Sequence, residues 1–187
     1  MQTKNNVIVR HASGTLGGQV VAREWKGRPY LANRPSYPRD REFSEEQLCQ
    51  QERFQDATAY GKALIQLDEV PEIYHQKAES ARLTAYNIAI RDFLKPPVIR
   101  DIGVDGYTGK PGEEIVVRAR DDTEVIAVHV VIRNDGEVVE EGDAVRDRFN
   151  QSLWRYVTVE ENGLSGTAIE ALAADRPGNV ASGEVEL

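Results

Sequence analysis

Val125-Ile126-Ala127-Val128-His129-Val130-Val131-Ile132-Arg133, followed at once by Asn134-Asp135-Gly136, decides how the second half of this 187-residue chain is read. Six of those nine residues are β-branched, a chemistry that favours a pleated, half-buried backbone. Ile126, Val128, Val130 and Ile132 recur at period two, which predicts one face in a core and the other wetter. Asp135-Gly136 supplies the left-handed backbone of a tight hairpin, so the segment reads as strand, turn, strand.

The same texture extends in both directions. Apolar, β-rich runs lie at Val98 to Val104, Glu114 to Ala119, Val138 to Glu141, Leu153 to Val159, Thr167 to Ala173 and Val180 to Val185. Between them stand Asp105-Gly106, Lys110-Pro111-Gly112, Asn162-Gly163 and Arg176-Pro177-Gly178-Asn179 as turns. Short strands with turns every ~8 to 12 residues predict an immunoglobulin-like β-sandwich over residues 96–187. Trp154 and Tyr156 alternate along one strand and are expected in its core. The single cysteine, Cys49, excludes an antibody-type disulfide; on a helical pattern it reads as a small core residue rather than a nucleophile.

Upstream the pattern changes at Lys95-Pro96-Pro97, since two prolines cannot continue a helix. Ser44-Glu45-Glu46-Gln47 is a capping-box signature opening a helix from about Glu45 to about Leu67, with Phe54, Ala57, Gly61, Leu64 and Ile65 as its apolar stripe. Pro71 suits the first turn of a second helix. Thr84 can cap a third, Ala85 to Leu94, with Tyr86, Ala89, Ile90, Phe93 and Leu94 inward. Residues 7–34 read as a β-hairpin or small meander, with Val7-Ile8-Val9, Gln19 to Trp25 and Arg28 to Ala32 extended. Ser13-Gly14, Gly17-Gly18 and Lys26-Gly27 are its expected turns. The expected class is therefore α+β: a β-hairpin plus helical domain over 1–95, then an all-β domain over 96–187.

Charge is distributed unevenly. The net formal charge is -8, yet the first 41 residues carry 8 basic and 2 acidic side chains, a net of +6. Residues 96–187 carry 9 basic and 19 acidic, a net of -10. The N-terminal cations (Lys4, Arg10, Arg23, Lys26, Arg28, Arg34, Arg39, Arg41) are spaced rather than clustered, which argues against nucleic acid as a partner. Met1 to Arg10 lacks the apolar region of a secretory signal, and no apolar run approaches the ~20 residues of a membrane span. Synthesis in the cytoplasm is expected, with release in an extracellular assembly left open.

Motifs for chemistry are missing from the pattern. His11, His75 and His129 fall in different segments without metal-ligand spacing, and Gly14 to Gly18 lacks the lysine of a phosphate loop. Ser13 and Ser152 lack a nucleophile elbow. Asp101, Asp105, Asp121, Asp122, Asp147, Glu160, Glu161 and Asp175 offer oxygens for Ca²⁺ or a carboxylate pair, but no motif organises them. No catalytic residue, cofactor or metal is assigned, and no enzyme is expected. The polar-aromatic cluster Arg23, Trp25, Lys26, Arg28 and Tyr30 has the composition of a protein interface, alongside the reading in which Trp25 and Tyr30 simply cover the helices of the same chain.

Ser13-Gly14-x-x-Gly17-Gly18-x-Val20-Val21-x-x-x-Trp25-Lys26-Gly27-x-x-Tyr30, with Gln47-x-x-x-Gln51-x-x-Phe54 beyond a proline-bearing connector, resembles a family of short bacterial proteins of unknown function. That resemblance covers roughly residues 12–65; the family's arginine near positions 52 and 53 is met only approximately, by Arg53. Asp175-Arg176-Pro177-Gly178-Asn179 is similar to the closing hairpin of bacterial immunoglobulin-like repeats, which implies surface, adhesion or particle-decoration roles by analogy. A glycine-rich ribbon short of its own core and a basic end opposed to an acidic one lead to the functional expectation. It is a non-enzymatic structural subunit of a filament, phage-like or contractile particle, a homo-oligomer that also meets other particle or surface proteins. The alternative is a monomeric cell-surface binding or adhesion module whose sandwich loops recognise a glycan or protein.

Overall fold

The computed structural model describes residues 13–25, 28–36 and 42–187, and it divides into two compact units, Met1–Glu45 and Glu46–Leu187. Among the described residues, three helices and three antiparallel sheets make the chain mixed α+β.

The first unit holds a three-stranded sheet in the order β1-β2-β3, with β1 Gly14–Leu16, β2 Val20–Trp25 and β3 Arg28–Asn33. Gly17 and Gly18 turn the chain with φ of 58° and 71°, values that a side chain would oppose. The Gln19 amide closes that turn on the Leu16 carbonyl at 3.3 Å. Gly14, expected in a turn, instead opens β1 and pairs with Ala22. Val7-Ile8-Val9 and the Lys26-Gly27 turn lie outside the described residues.

The second unit begins with α1 Glu45–Ile65, α2 Glu72–Ala81 and α3 Ala85–Leu94. α2 and α3 are separate helices because Arg82 turns left-handed (φ 55°, ψ 45°), and Thr84 Oγ1 then accepts the Asn87 amide to start α3. Leu64, Tyr74, Ala78, Ile88 and Ala89 form their shared core. On α1 the expected stripe is only half right: Ala57, Gly61 and Leu64 are buried, whereas Phe54 is 52% and Ile65 46% exposed. Residues 45–56 of α1 are all exposed, so only its C-terminal half packs and Phe54 falls short of that half. Cys49 lies in the same stretch and is exposed, not a core residue. Gly61 is dictated by proximity, since a Cβ there would lie 3.0 Å from the Tyr86 ring. On α3 Ile88, Ala89 and Asp92 are buried, while Tyr86, Ile90, Phe93 and Leu94, expected inward together with Ala89, are half-buried.

The remaining strands are β4 Val98–Gly103, β5 Glu114–Arg120, β6 Val125–Asn134, β7 Glu137–Asp143, β8 Val145–Arg146, β9 Leu153–Val157, β10 Thr167–Asp175 and β11 Val180–Glu186. They form two four-stranded antiparallel sheets, β4-β5-β9-β8 and β11-β10-β6-β7. Ile115, Val117, Trp154 and Tyr156 from the first sheet share one buried cluster with Val128, Val130, Ile132, Ile169 and Ala171 from the second. Alternation explains why: β10 buries Thr167, Ile169, Ala171, Ala173 and Asp175 in strict period two. Ile126 breaks the expected pattern and is 44% exposed, with Val125 buried instead. The cause is a register shift, in which Ala174 pairs with Ala127 but Asp175 pairs with Val125.

The expected boundary at 95/96 falls inside the second unit. Contacts crossing it tie α3 to the strands: Arg91 and Lys95 both reach Asp122, at 2.7 and 2.8 Å. The Asn179 carboxamide donates to the Asp92 carbonyl (3.3 Å), the Phe93 carbonyl (3.1 Å) and Asp175 Oδ2 (2.8 Å). Asn179→Ala removes all three donations and leaves their acceptors poorly satisfied. The substitution is expected to lower stability by about 2 kcal/mol in chemical denaturation; an unchanged midpoint would show that the turn does not hold the helices.

Candidate interaction surface

Of the expected interface residues, the register of the N-terminal sheet sets Arg23 and Tyr30 opposite each other. The same Cα register pairs Trp25 with Arg28. Arg23 is exposed and Tyr30 is 39% exposed. Lys26 lies outside the described residues, as do the side chains of Trp25 and Arg28. The face opposite that of Arg23 and Tyr30 carries Leu16, Val20, Ala22 and Leu31 through the pairs Leu16↔Val20 and Ala22↔Leu31. Ala22 is buried there, while Leu16 and Leu31 stay 49% and 41% exposed. Apolar side chains therefore meet water on both faces, and the outer edges of β1 and β3 pair with no further described strand.

Four of the eight carboxylates singled out in the sequence, Asp121, Asp122, Asp147 and Asp175, are braces. Asp147 Oδ1 accepts the amides of Phe149 and Asn150, and its Oδ2 faces Arg155. These donors hold the Asp147 carboxyl below its usual range. Asp121 Oδ2 accepts the amides of Thr123 and Glu124, and Asp175 Oδ1 those of Gly178 and Asn179. Among the described residues, no three His, Cys, Asp or Glu side chains are arranged to hold a metal ion. Trp154 is a core residue, with the Arg146 guanidinium 4.8 Å above its ring.

One polar node escaped the sequence reading. Tyr74 donates to Asp92 Oδ2 at 2.6 Å, and the Tyr60 hydroxyl stands 2.9 Å from that of Tyr74. Asp92 is 1% exposed, and burial pushes its carboxyl up to about 6 despite the hydroxyls of Thr123 and Tyr74; the charges of Asp121 and Asp175 push the same way. Burial likewise raises Asp175, Tyr60 and Tyr74. Its sequence signal was slight: an aspartate inside the apolar run of α3, where charge is expected only with a partner.

The chain matches no protein-family model and no curated protein. Among solved structures, a crystal structure of an engineered protein aligns over 48% of this chain and 18% of its own length, at 21% identity and a TM-score of 0.36.

Asp92 sets a pH dependence. Its folded pKa is raised, so the stability it confers is complete at low pH and is lost as pH rises through about 6. Asp92→Asn keeps an acceptor for Tyr74 and removes the charge. The variant is expected to match the wild type near pH 4 and to exceed it by up to about 3 kcal/mol near pH 8. Thermal unfolding across that range checks this; a constant difference between the two proteins would refute it.

Proposed function

We propose that this protein is a non-enzymatic structural subunit that self-assembles through its N-terminal three-stranded ribbon. The observation that carries the reading is the exposure of Leu16, Tyr30 and Leu31 on the two faces of a ribbon that buries only Ala22 among its described residues. Two or three strands alone bury too little apolar surface to be stable in water, so such a ribbon needs a partner surface. The occupant is a second copy of the chain. Residues 1–41 carry +6 and residues 96–187 carry -10, so the N-terminal segment that includes the ribbon is complementary in charge to the strands of the next copy. β7, an edge strand, exposes Glu137, Glu141 and Asp143 toward such a partner. A contact between unlike surfaces repeats head to tail and gives rings or fibres.

We infer also that the two four-stranded sheets are an immunoglobulin-like sandwich. Counting the eight strands from β4, the first and second join the sixth and fifth, and the third and fourth join the seventh and eighth. That order, with one shared core, is the arrangement of immunoglobulin domains that have an additional strand beside the third. A sandwich of this kind would serve as the rigid body of a repeating subunit, with the ribbon as its connector.

Light scattering coupled to size exclusion tests the assembly. The full chain is expected to form concentration-dependent oligomers near 0.05 M salt and to dissociate as screening grows toward about 0.5 M. Leu31→Asp and Arg23→Glu should each shift it toward the monomer while circular dichroism keeps the wild-type β signal. A monomer at every concentration and salt would overturn the proposal.

A further inference from the structure

A groove of about 490 Å³ runs between α2, α3 and the first sheet, wide enough for a small organic ligand. Its lining is out of character for its surroundings. Five cations face it, Lys77 from α2, Arg91 from α3, Lys95, Arg100 from β4 and Arg120 from β5, against two carboxylates, Asp121 and Asp122. Asp122 is already engaged by Arg91 and Lys95. Asp121 turns one oxygen to the amides of its own loop, and its other oxygen is buried. Lys77, Arg100 and Arg120 have no carboxylate partner among the described residues, although residues 96–187 offer 19 acidic side chains. Elsewhere Arg133, Arg146 and Arg155 on the strands and Arg176 in the turn after β10 have one, while Arg118 of β5 has none among the described residues.

Arg100 is aimed by a local irregularity. Ile99 and Ile102 both pack against the core, which three-residue spacing forbids on a regular strand. β4 resolves this with a bulge: Ile99 pairs with Ala119, Asp101 pairs with Arg118, and Arg100 is left over. Bulges of this kind redirect a side chain. Arg120 pairs with Val98 at the end of β5, so both arginines stand at one corner of the sheet. Lys77 and Arg120 also line a second, adjoining depression of about 190 Å³. The lining of the groove also includes the apolar side chains of Ile88, Ala81, Pro96 and Val98.

We propose that this groove binds a small organic anion bearing two or more oxyanion charges beside an apolar body, held by Lys77, Arg100 and Arg120. Phosphate and carboxylate groups share the required chemistry, because a guanidinium fork meets either with paired hydrogen bonds. Like charges left to face one another repel, and a dianion converts that repulsion into attraction. The inference does not depend on self-assembly.

Calorimetric titration of the full chain with inorganic pyrophosphate and with citrate tests it, against sodium chloride at equal ionic strength. One site tighter than about 1 mM is expected for at least one anion, and which one binds distinguishes a phosphate from a carboxylate ligand. Lys77→Gln, Arg100→Gln and Arg120→Gln keep most of each side chain and should each weaken binding tenfold or more. Arg148→Gln, which removes an exposed charge outside the groove, should bind as the wild type does. Without anion the three groove variants are expected to unfold at or above the wild-type temperature, since they relieve repulsion. No binding by either anion, or affinity unchanged in all three variants, would overturn the assignment; so would a fall in the anion-free unfolding temperature of all three, which would make those cations structural.

Discussion

The end of α3 is the constraint around which the second unit is organised. A helix leaves its last carbonyls without partners inside the helix, and burying them unpaired is costly. Here the Asp92 and Phe93 carbonyls are taken by the Asn179 carboxamide, and the Leu94 carbonyl by Arg53 of α1. Asn179 is in turn held by Asp175, which accepts its side-chain and backbone donors. A turn between two strands thus meets the end of a helix more than eighty residues upstream, and the helices and the two four-stranded sheets belong to one compact unit.

Docking α3 in this way has two consequences. It buries Asp92, and that burial, with the nearby charges of Asp121 and Asp175 adding to it, is why the carboxyl resists ionisation. It also sets α2 and α3 over the corner formed by β4 and β5, where Arg100 and Arg120 emerge, and so forms the groove. Both features sit at the seam between helix and sheet, where neither element's own periodicity decides what is buried.

Legibility followed local physics. The β-rich runs bounded by turn residues, Thr167 to Ala173 among them, and the Asp135-Gly136 turn announced the strands directly, and Thr84 announced the start of α3. Ile126 could not be placed from alternation, because the register shift opposite Ala174 and Asp175 reverses its face. Phe54 and Cys49 were misplaced because amphipathic spacing does not say how far along a helix the packing extends. The groove was illegible for a related reason: Lys77, Arg100 and Arg120 are far apart in sequence and look like ordinary solvated charges. The bulge that turns Arg100 could have been suspected from Ile99 and Ile102, which are three apart in a strand. The Asp175 to Asn179 turn was visible as a turn, but its grip on α3 was not.

The chain is imbalanced: its two four-stranded sheets share a buried core, whereas a short ribbon leaves Leu16, Tyr30 and Leu31 in water. Electron micrographs of the full chain at low salt test this most directly. The account predicts rings or fibres built from a repeating head-to-tail contact. A field of uniform particles the size of one chain, at every concentration, would contradict it.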